Sequence, residues 1–291
     1  KGFIRIQYAI IDAATQNGHE IQMSAGIYTE NITVNKEVTL KGNNAGLAPW
    51  NWINSPTIVN PPNTAFSYAN ALITIAAHNV SIDGISFDGT NSNNPHIGPD
   101  GVSSRTINGK VVHTGLGVVT VGGDVFNAPK IINNKLENFT NRAIEIYSIG
   151  SKRSMEISNN QIDNVVAINT TSAEGIAYGI STSGFSGEMK NNRVTRASTG
   201  IDMQFPFNFA NDNVNALNNT VEAYKTGMAF RGATTITAPI ITVADNNIAI
   251  ANYNTWTGDG LNKNGINLTG MYFVSLAGDN NITASNNNLS N

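Results

Sequence analysis

A pair of asparagines flanked by apolar residues returns along this chain at a near-regular distance, and that repeat limits the fold more than any other feature. It reads Ile131-Ile132-Asn133-Asn134-Lys135-Leu136, then Ile157-Ser158-Asn159-Asn160-Gln161-Ile162. Further copies surround Asn191-Asn192, Asn218-Asn219, Asp245-Asn246 and Asn286-Asn287. The second Asn stands at 134, 160, 192, 219, 246 and 287, so the spacings are 26, 32, 27, 27 and 41. Periods of this length are the mark of a solenoid, in which each unit buries its apolar side only by stacking on the next. The units are short, β-branched and alternate with period two, which points to strands and not helices. An earlier copy, Ile82-Asp83-Gly84-Ile85-Ser86-Phe87, is read with Gly in place of the second Asn.

A second strand follows each marker. It is read as Ala143-Ile144-Glu145-Ile146, Gly179-Ile180-Ser181-Thr182, Gly200-Ile201-Asp202-Met203, Gly227-Met228-Ala229-Phe230 and Gly265-Ile266-Asn267-Leu268. Side chains alternate across a strand, so Ile144, Ile201, Met228 and Ile266 are expected to face inward and Glu145, Asp202 and Ala229 outward. The repeated Asn has a structural role at a corner: it tolerates left-handed backbone, and its amide bonds to the copies above and below. With 45 asparagines the chain could be a low-complexity tract, but the 40% hydrophobic content recurs in register, which a folded repeat requires.

The sequence therefore predicts an all-β fold, a single right-handed parallel β-helix over 20–291 with a short N-terminal capping helix within 1–19. The helix is expected at Ile6-Gln7-Tyr8-Ala9-Ile10-Ile11-Asp12-Ala13-Ala14 and ends before Asn17-Gly18. Together with the Gly26-Ile27-Tyr28-Thr29-Glu30 stretch and the Asn-Asn units, it resembles the pectin-lyase-like right-handed β-helix superfamily. The resemblance covers most of the chain and implies the fold. It does not select a reaction, because motifs of the best-marked families are missing. The Gly26–Glu30 stretch is similar to an early pectin methylesterase motif, but that family's later carboxylate and Arg-Pro-Trp motifs are absent. The Gly-His-Gly and Arg-Ile-Lys runs of polygalacturonases and the calcium-binding carboxylate run of pectate lyases are also absent.

Charge and composition narrow the classes of partner. Charged residues make up 13% and the net charge is −3, so no basic field exists to grip nucleic acid or an anionic membrane. No apolar run reaches the ~20 residues of a membrane-spanning helix. The chain has no cysteine, which removes thiolate chemistry and fits a secreted or cell-surface protein, read here as bacterial. His96 and His113 lack a carboxylate partner at a telling spacing, so no metal ligands are assigned and no cofactor is implied; a calcium ion stays compatible. The chain stops just after a marker, which suggests a monomeric module within a longer polypeptide.

Loop lengths locate a candidate site. From marker to Gly-led strand takes 8 or 9 residues in three units, but 19 in two others, at 163–178 and 249–264. Two insertions at one corner, with two short units between them, predict a walled groove, and the loop 90–113 leaves near the same edge. The floor is expected to expose Asp202, Gln204, Ala229 and Arg231, with Arg196, Tyr224 and Lys225 in the corners leading in. The walls supply Glu174, Tyr178, Tyr253, Trp256 and Asp259. Candidate catalytic residues are Asp202, Arg231, Arg196 and Glu145. Glu145 lies two units before Asp202 in one column, on the order of 9–10 Å away at strand spacing, near the upper limit for inverting glycosidases. Alternatively, Arg196, Lys225 or Arg231 would serve β-elimination from a uronate. The expected partner is thus an acidic or other polysaccharide, bound or cleaved as by a lyase or glycoside hydrolase. The alternative is a non-catalytic stalk of a larger surface protein. Trp50 and Trp52 are read as anchors of their own loop.

Overall fold

Short β-branched segments, each ended by a residue able to turn the chain, build coils that stack on one another. A computed structural model describes residues 2–62, 71–90, 105–107, 110–112, 114–120, 127–148, 151–165, 177–232, 237–250, 269–274, 276 and 282–290. The first strand of every coil joins a nine-stranded sheet, and the later strands form a second sheet of fourteen. All pairs in both sheets are parallel, and the antiparallel pair Arg105–Ile107 with Lys110–Val112 stands apart from them.

We number the coils in chain order. Coil 1 comprises Glu20–Gln22, Gly26–Thr29 and Ile32–Val34; coil 2 comprises Thr39–Lys41, Thr57–Asn60 and Ala71–Ile75. Coil 3 comprises Ser81–Asp83, Ile85–Asp88 and Thr114–Thr120. Coil 4 is Lys130–Ile132 with Lys135–Tyr147; coil 5 is Arg153–Ser158, Gln161–Val165 and Tyr178–Ser183. Coil 6 is Phe185–Lys190 with Arg193–Phe205, and coil 7 is Asn213–Leu217 with Thr220–Gly232. Coil 8 is Ile240–Ala244, Asn247–Ile250 and Thr269–Val274; coil 9 is Ile282–Ser285 with Asn288–Ser290.

The interior is a stack of matched apolar side chains. Val118, Ile144, Ile180, Ile201, Met228 and Met271 occupy one register position in six successive coils, and the first five have no exposed surface. Each such burial contributes ~1.5–3 kcal/mol. Phe230 and Phe273 continue the stack one position along, with ring centroids 5.0 Å apart. The strand in register with Gly227–Phe230 is Gly270-Met271-Tyr272-Phe273, which corrects the expected Gly265–Leu268; those residues, with Ile266, lie outside the described set. Glycine leads these strands because a Cβ on Gly200 would sit 2.1 Å from Val221 Cγ1 and 2.7 Å from the Gly227 carbonyl oxygen.

The two asparagines of each pair divide the corner between them. The first takes left-handed backbone: φ is 58° at Asn133, 57° at Asn159, 56° at Asn191 and 55° at Asn218, and Asp245 does the same at 57°. The second is buried and forms a ladder. Asn134, Asn160, Asn192, Asn219 and Asn246 each donate from Nδ2 to the Oδ1 of the next coil's asparagine, ending at Asn287. Register places Gly84 opposite Asn133 and Ile85 opposite Asn134, so Gly84 replaces the first Asn and not the second. The reason is backbone: Gly84 has φ 71°, the conformation that the first position demands.

A second polar ladder runs through the next corner. Asn164 Nδ2 donates to Asn138 Oδ1 at 2.8 Å, and Asn138 Nδ2 donates to Asp88 Oδ1 at 2.7 Å. Here one residue both turns the chain (φ 67° and 60°) and carries the bond. Arg196 holds the equivalent left-handed position in coil 6, and the buried Asn164 Oδ1 has no hydrogen-bond partner among the described residues.

The helix α1 spans Ile6–Ile11, shorter than expected. Asp12 ends it by accepting the Ala14 N–H on its own Oδ1 at 2.9 Å, a local turn that competes with the next helical bond. Ile6 and Ile10 enter the core. Glu30 caps α1 from 24 residues away, its Oε1 accepting the Ile6 N–H at 2.8 Å and its Oε2 the Gln7 N–H at 3.1 Å. In this chain the Glu of the Gly-Ile-Tyr-Thr-Glu stretch therefore holds the helix. A cavity of about 410 Å³ lies between α1 and coil 1.

Candidate functional site

Coils 4, 6 and 7 each carry one unbroken 13-residue strand through the second and third positions, whereas coils 3, 5 and 8 break there. The breaks after Asp88, Val165 and Ile250 fall at the same corner, with coils 6 and 7 between the last two. The segments 166–176 and 251–268 lie outside the described residues, and with them Glu174, Tyr253, Trp256 and Asp259; His96 and His113 do too.

The outer face of the third strands is built from two columns. Glu145, Ser181, Asp202, Ala229 and Tyr272 follow one another through coils 4 to 8. Beside them run Tyr147, Ser183, Gln204, Arg231 and Val274. The two carboxylates thus share a column with Ser181 between them, and Gln204 and Arg231 are neighbours across coils 6 and 7.

Asp202 is not open to solvent, which corrects the expected floor: it and Ala229 are 0% exposed. Alternation fixes the side of the sheet a residue faces, but the longer side chains beside Asp202 close over it. Gln204 Nε2 donates to its Oδ2 at 2.7 Å, and Arg231 Nε lies 2.6 Å from its Oδ1 as a charge contact without hydrogen-bond alignment. Arg231 in turn lies over the ring of Tyr272, 5.9 Å from the centroid. A parallel arrangement occurs in coils 4 and 5. Arg142 Nη1 is 3.0 Å from Glu145 Oε1, and its guanidinium lies 5.2 Å from the centroid of the Tyr178 ring. Tyr272 is exposed and Tyr178 half-buried.

Two expected members do not join this face. Arg196 turns to Asp163, with Nε donating to Oδ1 at 2.7 Å and Nη2 contacting Oδ2. That hydrogen bond is the largest cause holding the Arg196 pKa above its ordinary value. Tyr224 is 1% exposed and belongs to the core: it directly follows the buried Ala223, so the inward–outward alternation is interrupted at this corner. Lys225, partly exposed, stays at the corner next to Thr226. Trp52 and Trp50 anchor their loop, through the bond from Trp52 Nε1 to the Leu47 carbonyl (2.9 Å) and a guanidinium of Arg193 3.9 Å over Trp50.

Sequence reasoning missed Arg142 and Tyr272. The signal for Tyr272 was present: Gly-Met-Ala-Phe at 227–230 recurs as Gly-Met-Tyr-Phe at 270–273. Arg142 stands three residues before Glu145, but precedes Ala143 where other coils have glycine.

Burial pushes the Glu145 carboxyl above its ordinary value of 4.5, and the Arg142 guanidinium opposes that shift. A carboxyl raised by folding stabilises the fold below its unfolded pKa, and that contribution is lost as pH rises through the folded value. Glu145→Gln, which carries no charge to desolvate, should therefore raise the melting temperature at neutral pH. The gain should shrink to nothing as pH falls below about 4.5. Thermal unfolding across pH tests this; a pH-independent difference would contradict it. Among the described residues no group of three or more His, Asp or Glu side chains converges as a metal site.

No family model matches the chain. A stretch of 84 residues, 29% of the chain, is 42% identical to a cell surface glycoprotein of Methanothermus fervidus; it spans 12% of that protein's length. Similar solved structures include the pectin methylesterase of Aspergillus niger, at 11% identity and TM-score 0.48, over 99% of this chain and 82% of that one. PemA, the pectin methylesterase of Erwinia chrysanthemi, gives 11% and 0.41 over 98% and 89%. These likenesses concern the fold alone. The coil-by-coil parallel pairing by itself establishes the fold as a parallel β-helix.

Proposed function

We propose that this β-helix binds a polysaccharide along the outer face of coils 4 to 8, as part of a secreted or cell-surface protein. The observation that carries the reading is the repeated unit of that face: an arginine held by a carboxylate and laid over a tyrosine ring, once in coils 4–5 and once in coils 6–8. Sugar rings present apolar C–H faces and a rim of hydroxyls. Tyrosine rings pack on the former, and fixed guanidinium and carboxylate groups bond to the latter. Binding is favoured over cleavage because Asp202 has no surface from which to activate water, and both of its oxygens are engaged.

The test is a panel of neutral and acidic polysaccharides run by affinity electrophoresis, with reducing-end and unsaturated-uronate assays in parallel. The expected result is retardation by at least one polysaccharide without cleavage. Tyr272→Ala and Arg142→Ala should each weaken it about three- to tenfold, the worth of one stacking or charge-assisted contact. Cleavage that is lost in Glu145→Gln would replace binding with a hydrolase or lyase reading.

A second reading has its own support. The stretch similar to a cell surface glycoprotein favours a structural or adhesive stalk, whose coils supply length. Retardation by nothing in the panel would leave the stalk as the account.

A further inference from the structure

The charges on this face cancel in place, and from that we infer that its ligand is a neutral polysaccharide and not a polyuronate. The inference rests on the glycan-binding reading above. Recognition of an anionic sugar needs a cation whose donors are free to form paired bonds with a carboxylate. Here each guanidinium already faces a carboxylate of its own chain, Arg142 with Glu145 and Arg231 with Asp202. The side chains between and around them, Ser181, Ser183, Gln204 and Thr226, are polar and uncharged.

The neighbouring corner adds no attraction. Asp88, Glu137, Asp163 and Glu222 fall in one register column through coils 3 to 7, with only Thr195 interrupting it. Lys135 pairs with Glu137 and Arg196 with Asp163. With Lys225 and with Arg193, which shares the Lys135 column, that is four cations against four carboxylates among the described residues, so the corner carries no surplus of positive charge for an approaching polyanion. A neutral polymer needs no such cation. Its hydroxyls donate to Glu145 and accept from Arg142 and Gln204, while Tyr178 and Tyr272 pack on its rings.

The experiment titrates the intact domain with neutral glucans, galactans and mannans, and separately with polygalacturonate and alginate, each at low and high salt. The wild type should bind a neutral polymer with affinity that changes less than about twofold with salt, and should not bind the polyuronates. Glu145→Gln and Asp202→Asn each free a guanidinium, and each folded variant should gain salt-sensitive polyuronate binding of about tenfold or more. Glu145 is partly exposed, so that variant keeps the test available should Asp202→Asn not fold. Wild-type preference for a polyuronate would overturn this inference while leaving the glycan-binding reading intact. Neutral binding without any gain in a folded variant would overturn the charge-balance argument. Binding of nothing would remove both.

Discussion

Asn192→Ala is expected to lower the stability of the domain by about 3–5 kcal/mol, although the residue touches no solvent and stands in no candidate site. Its Nδ2 donates to the Ile157 carbonyl at 2.9 Å and to Asn219 Oδ1 at 3.1 Å. Its Oδ1 accepts from the Asn160 backbone N–H at 3.1 Å and from Asn160 Nδ2 at 3.0 Å. Truncation leaves the Asn160 N–H and the Ile157 carbonyl buried without these partners, at roughly 1–3 kcal/mol each, beside a small void. Asn191, the residue before it, should behave otherwise. Its role is left-handed backbone at φ 56°. Asn191→Gly should be nearly neutral and Asn191→Ala should cost about 1–2 kcal/mol. Denaturant unfolding of the three variants checks the division of labour; equal losses at both positions would contradict it.

Arg231→Met is expected to cost a further large amount, about 3–5 kcal/mol, by leaving the Asp202 carboxylate buried and uncompensated. Asp202 has no exposed surface and, among the described residues, keeps Gln204 as its hydrogen-bond partner. The penalty belongs to the stranded charge more than to the lost contact. Pairing Arg231→Met with Asp202→Leu should therefore recover most of the stability, because two apolar side chains of similar size need no compensation. A double variant as unstable as the sum of its parts would show that the ion pair itself, and not the avoidance of an unpaired charge, holds coils 6 and 7 together.

The two expected results differ in how far the sequence foretold them. The ladder was legible because its residues are doubled and repeat with the coil: a row of Asn at a fixed place between apolar strands is what a stacked corner requires. The separate jobs of the two asparagines were not, since spacing gives position and not backbone angle. The second ladder escaped because Asp88, Asn138 and Asn164 are single residues between unlike neighbours, and Arg196 breaks the series. The column shared by Glu145 and Asp202 followed from alternation and is present. The burial of Asp202 did not follow, because period two says which side of a sheet a residue faces and nothing about the long side chains two positions away. Coil 8 reads five residues early in the sequence because Gly265-Ile266 imitates a coil start, and that displacement hides Tyr272. With Gly270 in place, Tyr272 and Arg231 meet, and the face gains its second arginine–tyrosine unit.

Hydrogen exchange on the intact domain, with and without a saturating polysaccharide that it retains, tests the central claim most directly. If the outer face of coils 4 to 8 is the binding surface, added protection should concentrate in Tyr178–Ser183 and in the third-strand parts of Lys135–Tyr147, Arg193–Phe205 and Thr220–Gly232. The nine-stranded sheet and helix α1 should not change. Protection confined to the α1 end or to the nine-stranded sheet, with those strands unaltered, would show that the arginine–tyrosine face is not where this protein meets its ligand.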